Sequence, residues 1–417
     1  MSSVQNQPPE HAPDSALERR PVPTRPRTRE QFIPLRTAEL IEVLAATAGL
    51  SPAEAGEFRR MCRLVEGILH RDFHAALAEL KNAYAPFDPD ADTRPGPQLS
   101  DAQLDAAQQK LFQKFGWLLE RGNFQQLKQP QIERALLDRS HWGLNLAVNF
   151  DVFERLDLYF RGDTTGTRFR RRLAKGFRIR TESVDVPIYQ RLVVIFRLRS
   201  DRPLSKYLDT HDVHIKLFKE IPQLDVEMLL PGTEARMSLV DRARIMLPTL
   251  SGVSMTVWKV LAGGTALLYS SLAFLLLVGG TVGYGVRSLY GYLNTKQKYQ
   301  LNLTQSLYYQ NLDNNAGVIH RLLDEAEEQE NREAILGYFL LWRKGLDRGW
   351  TSAELDAEIE AFLATQGVGE VDFEIADALA KLERLGLVEA YAPDKWKAVP
   401  IERASEALGR LWGSVPA

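Results

Sequence analysis

Apolar and polar residues follow a helical period through the first third of the chain. From Phe58 to Leu69, apolar residues recur at intervals of three and four, which is the spacing of one face of an α-helix. Upstream, Ser51 stands three residues before Glu54, and this capping-box pattern predicts where the helix begins. The pattern therefore predicts a helical region over residues 32–144.

The pattern changes over residues 145–241. Short runs such as "FERLDLYFRG", "IYQRLVVIFRLR" and "VHIKLFKEI" are rich in β-branched and aromatic residues and alternate with polar ones. They predict a mostly antiparallel sheet domain. The last run, "LDVEMLLPG", is also predicted to be a strand, which would place Asp225 and Glu227 on the same side of the sheet.

A long apolar run follows the predicted sheet. Lys259 and Arg287 are separated by 27 residues without a charge, whereas about 20 apolar residues suffice to span a bilayer. One layout is a single helix over residues 265–286, and the other is a hairpin whose first arm covers residues 245–262. Basic residues on both flanks favour the hairpin, because they prefer the cytoplasmic side. We therefore expect a transmembrane hairpin within residues 245–293.

Within this run, residues 281–285 read TVGYG, the signature of a potassium-channel selectivity filter. A filter must be enclosed by spanning helices on both sides, and the sequence after it is too polar to span. We therefore reject the potassium channel. Gly279, Gly280 and Gly283 instead have the small-residue spacing of close helix packing in a membrane, between the two arms or between two copies of the chain.

The C-terminal part, residues 296–417, predicts helix, helix, β-hairpin and helix. This order resembles a winged-helix module. The complete pattern predicts an α+β, membrane-anchored chain with a helical N-terminal part, a sheet domain, a transmembrane hairpin and a winged-helix-like end.

The net charge of −2 conceals an uneven distribution along the 417 residues. Residues 1–298 carry +8 and residues 299–417 carry −10. An acidic C-terminal part would repel phosphates, so we expect no nucleic acid partner there. We expect a protein partner instead, and homo-oligomers are possible. Residues 1–31 are rich in Pro and Arg and are predicted to be a disordered tail. They contain no secretory signal.

The strongest local charge signal lies in residues 168–180, where seven of thirteen residues are basic and none is acidic. A solvated strand face and a nucleic acid site are alternatives. We interpret the basic stretch as a contact with anionic lipid headgroups. The predicted headgroup-binding residues are Arg168, Arg170, Arg171, Arg172, Lys175, Arg178 and Arg180.

Candidate chemistry is sparse. Glu66, His70 and His74 have the four-residue spacing of metal ligands on one helix face, but a packed or solvated face explains them better. His211 and His214 would point to opposite faces of a strand. The chain has no phosphate-binding loop, dinucleotide fingerprint or nucleophile elbow, so we expect no metal and no cofactor.

Several stretches resemble the family called domain of unknown function 3754, whose animal member is transmembrane protein 143. They are "FIPLR", "LYFRG", "VPIYQRLVVIFRLR", "IKLFKEIPQLDVEMLLPGT" and "LYYQNLDNNAGVIHRLLDEAEEQENREA". The resemblance extends over nearly everything from Phe32 onward. It implies a membrane protein with soluble parts before and after the apolar run, and mitochondria in animals. It implies no established reaction, substrate or cofactor.

From these observations we expect a non-enzymatic scaffold or lipid- and protein-interaction protein at a membrane face. The alternative is a lipid- or metabolite-modifying enzyme that uses Asp225 and Glu227, since paired carboxylates serve acid–base catalysis. Because no organelle leader is evident, a bacterial inner membrane with cytoplasmic domains is the expected location. A mitochondrial location is expected if the source is eukaryotic.

Overall fold

The computed structural model describes mainly the parts of the chain before and after the predicted membrane region. The described residues are 31–47, 49–91, 99–128, 145–174, 178–201, 209–236, 283, 290, 308–345 and 348–413.

The described helices begin at the caps that the local sequence provides. Ser51 accepts a hydrogen bond from the Glu54 backbone N–H, and the Glu54 carboxylate accepts one from the Ser51 N–H. The same reciprocal pair forms between Thr351 and Glu354. Each pair satisfies amides that a helix start leaves without a partner. The helices are α1 Thr37–Thr47, α2 Pro52–Tyr84, α3 Asp101–Arg121, α4 Ala316–Leu340, α5 Ser352–Thr365, α6 Ile375–Arg384 and α7 Ile401–Gly413.

The described strands form three antiparallel sheets. The strands are β1 Gln125–Gln126, β2 Asn145–Val148, β3 Phe153–Ala174, β4 Arg178–Leu198, β5 Val213–Pro222, β6 Thr233–Arg236, β7 Asn311–Asn314, β8 Trp350–Thr351, β9 Val388–Ala392 and β10 Lys395–Ala398. The largest sheet has the order β1-β3-β4-β5-β7, and the others are β8-β10-β9 and β2-β6.

Helices α2 and α4 hold two hydrophobic cores together. The first half of α2 and the second half of α4 pack with α1, α5, α6 and α7 in one core. The remaining halves pack with α3 on one face of the large sheet in a second core. Because α2 has 33 residues, it is about 50 Å long, which is enough to cross both cores. The large sheet and the C-terminal elements are therefore fixed to a shared helical frame.

The opposite face of the large sheet carries a third core. The even-numbered residues from Leu192 to Leu198 on β4 line it together with Phe218 of β5. A 3₁₀ helix, Gln223–Leu229, covers part of this face, with Val226 and Leu229 buried against it. The side chains of alternate strand positions thus enter different cores, as expected for a pleated sheet that is buried on both sides.

The C-terminal elements follow the order of a winged helix. The chain runs α4, β8, α5, α6, β9 and β10, and β10 lies between β8 and β9. Helix α7 then packs back onto α2, where the ring of Trp412 lies against Gly67. The unit therefore contacts the N-terminal helices of its own chain.

The fold is α+β with antiparallel sheets, but the predicted membrane anchor is corrected. Within the described ranges, no helix combines the length and the apolar character that crossing a bilayer requires. The longest of them, α2 and α4, carry charged residues at nearly every turn. Nearly all of the predicted hairpin, residues 245–293, lies outside the described residues.

Candidate functional site: a basic arm on the sheet

Strands β3 and β4 continue well past the rest of the large sheet. They pair with each other as far as Ala174 and Arg178, whereas the pairing of β4 with β5 stops at Ile188. The described pairing of β3 with β1 stops at Phe160. Among the strands that the structure describes, the distal half of the hairpin therefore pairs only with itself, and we call it the arm. About nine residues per strand give it a length of ~30 Å.

The arm leaves the sheet at a line of irregular backbone across three strands. Gly162 has a φ of +74°, and a Cβ at this position would lie 2.7 Å from the Gln190 Cβ. On the other side of Gln190, Glu220 of β5 has a φ of +52°. Positive φ is readily adopted by glycine and costs other residues strain, and the close Gln190 side chain leaves no room for a Cβ, so position 162 requires glycine. We call this line of Gly162, Gln190 and Glu220 the arm root.

The register places most of the predicted headgroup-binding residues on one face of the arm. Arg168, Arg170 and Arg172 lie opposite Val184, Glu182 and Arg180. Because residues directly opposite each other in an antiparallel pair share a face, the shared face includes the positions of five arginines. We call these positions the basic face. They are Arg168, Arg170, Arg172, Arg178 and Arg180.

The remaining predicted residues of this group lie elsewhere. Arg171 is opposite Thr181, on the other face of the arm, together with the positions of Phe169, Leu173 and Ile179. Lys175 lies outside the described residues. The arm thus separates a face rich in arginine from one rich in apolar residues.

The predicted strand around Asp225 and Glu227 is wrong. These residues lie in the 3₁₀ helix Gln223–Leu229, because β5 ends at Pro222 and the apolar residues between and after the two acids turn into the third core. Glu227 is only 2% exposed. Burial, and then the charge of Asp225, raises the pKa of Glu227 to about 7. The charge of Asp225 thus affects the pKa of Glu227, although the two residues do not share a strand face.

Two basic residues lie on the same sheet face as the 3₁₀ helix. His214 is buried and its ring stacks on Phe196, with centroids 5.0 Å apart. Burial, and then the charge of Lys216, lowers the pKa of His214. Burial also lowers the pKa of Lys216. Lys216 alternates with apolar residues in "VHIKLF", which places it on the same strand face as His214.

The other histidine candidates do not converge on a shared ligand position. His70 Nδ1 lies 3.0 Å from Glu327 Oε1 of α4, and the rings of His70 and His74 are 6.3 Å apart. Burial raises the pKa of Glu66. His211 is exposed whereas His214 is buried.

The structure also contains a buried ionic cluster that sequence reasoning missed. Lys381 of α6 is 1% exposed and forms ion pairs with Glu330 and Glu333 of α4. Its Nζ lies 2.9 Å from Glu333 Oε2 and 3.5 Å from Asp377 Oδ2. Arg121 of α3 also contacts Glu330, at 2.7 Å. We call these five residues the ionic cluster.

Electrostatics in the ionic cluster favour the charged forms. Burial opposes a charge on Lys381, but the carboxylates of Glu333 and Glu330 outweigh it, so the pKa of Lys381 is raised. Three of the cluster's carboxylates, Glu330, Glu333 and Asp377, come close enough together to resemble a metal site. The Lys381 ammonium already occupies their centre, so the arrangement serves to join α3, α4 and α6.

The predicted glycine packing stays a prediction. Gly279 and Gly280 lie outside the described residues. Gly283 is described and exposed, and a Cβ added there would meet no atom within 4 Å.

A family model described as "Protein of unknown function (DUF3754)" matches residues 189–317. This segment is similar to the DUF3754 family. It contains the inner part of β4, all of β5, the 3₁₀ helix, β6, β7 and the start of α4. The matched segment therefore includes Gln190 and Glu220 of the arm root, together with His214 and Lys216, but not Gly162. The predicted family is confirmed, and the likeness to transmembrane protein 143 stays a prediction. No solved structure matches the chain.

Proposed function

We propose that this chain is a non-enzymatic interaction protein whose arm binds the anionic headgroups of a phospholipid surface. The observation that carries the proposal is the basic face. Its five arginine positions lie on a two-stranded arm that projects ~30 Å beyond its neighbouring strands, in a stretch without a single acidic residue from Arg168 to Arg180.

The register of the arm supports an external anion as the partner. Arg172 lies directly opposite Arg180, and like charges at directly opposite positions destabilise a strand pair. A surface of phosphate groups would remove this repulsion. Each basic residue near an anionic bilayer contributes about 1 kcal/mol. Because Glu182 lies opposite Arg170 on the same face, the net contribution of the face would be roughly 4 kcal/mol at low salt.

The second face of the arm favours a lipid surface over a nucleic acid. Phe169, Leu173 and Ile179 share that face by register. Apolar side chains beside a basic face are typical of elements that lie in the interface of a bilayer. Phosphate contacts on a nucleic acid would leave the apolar face in water.

The winged-helix-like unit supports the same choice. Its third helix, α6, would be the one to enter a DNA groove. However, Lys381 is buried in the ionic cluster, and Arg384 pairs with Asp72 of α2 at 2.9 Å. The basic residues of α6 thus already have carboxylate partners in the same chain. We propose that this unit contacts proteins and binds no nucleic acid.

Acid–base chemistry at Asp225 and Glu227 is the second candidate function. The observation in its favour is the pKa of Glu227, which is raised to about 7, since perturbed carboxyl groups cluster at active sites. Against it, a carboxyl group that is 2% exposed cannot reach a substrate in this conformation. Hydrolysis of a panel of ester and phosphate substrates at pH 6–8, lost in Glu227→Gln, would favour the enzyme.

Flotation of the full chain with phosphatidylserine-containing vesicles tests the proposal. The test variant is Arg168→Glu/Arg172→Glu, because these changes place glutamate opposite Val184 and Arg180 and put no two acidic residues directly opposite each other. The control variant, Arg403→Glu/Arg410→Glu, makes the same change in net charge at exposed positions of α7.

We expect the arm variant to bind anionic vesicles at least about tenfold more weakly, and the control variant to bind like the wild type. Neutral phosphatidylcholine vesicles should bind neither the wild type nor either variant. Equal binding by both variants would overturn the proposal. So would binding to a short DNA duplex that exceeds binding to vesicles and depends on the same arginines.

A further inference from the structure

Two adjacent aromatic residues are unusually exposed at one edge of the large sheet. Tyr308 and Tyr309 are 77% and 66% exposed. Their rings pack edge to face, with centroids 5.4 Å apart. Contiguous apolar area on a protein surface marks sites that bind a partner or a membrane.

The fold places this tyrosine pair beside the arm root. Strand β7 pairs with β5 so that Asn314 is opposite Lys216 and Asn311 is opposite Phe218. Going back along the chain from Asn311 to Tyr308 therefore leads toward the end of β5 where the arm begins. Gln310 fixes this position, because its Nε2 donates a hydrogen bond to the Glu220 carbonyl at 3.0 Å.

We propose that Tyr308 and Tyr309 form a second contact with the phospholipid surface, at the headgroup level, so that the arm lies along the surface. This inference rests on the proposed function of the arm. Tyrosine has an apolar ring and a polar hydroxyl, and it is enriched at the membrane–water interface for this reason. The pair adds the apolar contact that a purely electrostatic arm lacks.

The dimensions of the arm decide its orientation. Arg168 is six residues from Gly162, which corresponds to about 20 Å along the strand. If the arm stood upright on its tip, the tyrosine pair would be held ~30 Å from the bilayer. The tyrosines and the basic face can touch one surface together only when the arm lies flat.

Chemical footprinting of the full chain tests this orientation. N-acetylimidazole acetylates exposed tyrosines, and peptide mass spectrometry reads the modification of Tyr308, Tyr309 and Tyr391. Tyr391 is the control, since it is 57% exposed and lies in the winged-helix-like unit. With phosphatidylserine-containing vesicles, we expect protection of the pair and continued modification of Tyr391. High salt and Arg168→Glu/Arg172→Glu should each remove the protection.

A binding titration with Tyr308→Ala/Tyr309→Ala gives the second readout. We expect about tenfold weaker binding to the same vesicles with an unchanged dependence on salt. Tyr391→Ala should bind like the wild type. The arm variant, in contrast, should bind weakly and lose most of its salt dependence.

The outcomes separate the two proposals. Wild-type binding that depends on the arm, while Tyr308 and Tyr309 stay reactive and their replacement has no effect, overturns the flat arrangement and leaves the arm's function intact. Binding that ignores the arm variant overturns the proposed function itself. Protection of the pair without vesicles, increasing with protein concentration, would assign it to an interface between copies and overturn the inference.

Discussion

The ionic cluster and the arm both concentrate charged residues, and the two regions use them in opposite ways. In the ionic cluster, each cation has carboxylate partners within the same chain, and Lys381 is 1% exposed. On the arm, the register sets Arg172 opposite Arg180, and no acidic residue occurs between residues 168 and 180. Charges paired inside the chain join helices, whereas a row of like charges on a projecting element calls for a partner outside it.

The largest effect is expected from removing the cation of the ionic cluster. Lys381→Met leaves Glu330 and Glu333 buried without their ammonium partner, and breaking a buried pair in this way costs about 3–5 kcal/mol. Chemical denaturation of the full chain measures this loss of unfolding free energy. The control is Lys381→Met/Glu330→Gln/Glu333→Gln. It also removes the two carboxylate charges that Lys381→Met leaves without an ammonium partner, and it should recover most of the lost unfolding free energy. No recovery would show that packing, not charge, holds α6 in place.

Replacing the glycine of the arm root should have the next largest effect. Gly162→Ala puts a methyl group at a φ of +74° and 2.7 Å from the Gln190 Cβ. A strained position of this kind costs about 1–3 kcal/mol. Gly56→Ala in α2 is the matched control, because a Cβ there meets open space and alanine favours a helix by up to about 1 kcal/mol. Equal stability of the two variants would argue that position 162 does not require glycine.

The buried acid of the 3₁₀ helix should make stability depend on pH. The pKa of Glu227 is about 7 in the folded chain and about 4.3 when unfolded. As pH rises through this window, the unfolded chain loses the proton first, so the folded state becomes less stable. Glu227→Gln should therefore match the wild type near pH 4 and be more stable by about 1–3 kcal/mol at pH 8.

Denaturation curves at both pH values measure this difference. Glu389→Gln, at an exposed position of β9, is the control and should follow the wild type throughout. A Glu227→Gln variant that is less stable than the wild type at pH 8 would mean that the carboxylate has a partner which stabilises its charge.

The smallest effect is expected at the edge of the winged-helix-like unit. Arg384 and Asp72 form an exposed ion pair, and such pairs contribute about 0–1 kcal/mol. Arg384→Ala should therefore lower the unfolding free energy by less than ~1 kcal/mol. A loss as large as that of Lys381→Met would erase the distinction between buried and exposed pairs in this chain.

Local signals in the sequence predicted the helix starts and failed where distant parts meet. The capping pairs at Ser51 and Thr351 depend on residues three positions apart, and both form. In "LDVEMLLPG", the apolar residues indicated a strand, but packing of Val226 into the third core selects a 3₁₀ helix. Intrinsic strand preference is weak enough for packing to override it.

The ionic cluster was beyond the reach of sequence reasoning for the same reason. Glu330 lies in the polar run "DEAEEQENREA", a composition typical of a solvated helix. Its partner Arg121 is 209 positions away in the chain. By contrast, the basic residues of the arm are close together in sequence, so composition alone identified them, and the register added only which of them share a face.

A fluorescent label on the arm provides the most direct test that the basic face meets an anionic surface. Cys62 is buried, and burial raises its thiol pKa, so an added cysteine can be labelled selectively with an environment-sensitive dye. Val184→Cys, opposite Arg168, places the dye at a position on the basic face, and Ala380→Cys places it at an exposed position of α6. We predict a blue shift with phosphatidylserine-containing vesicles for the arm label only, reversed by high salt. An unshifted arm label, or equal shifts at both positions, would contradict the account.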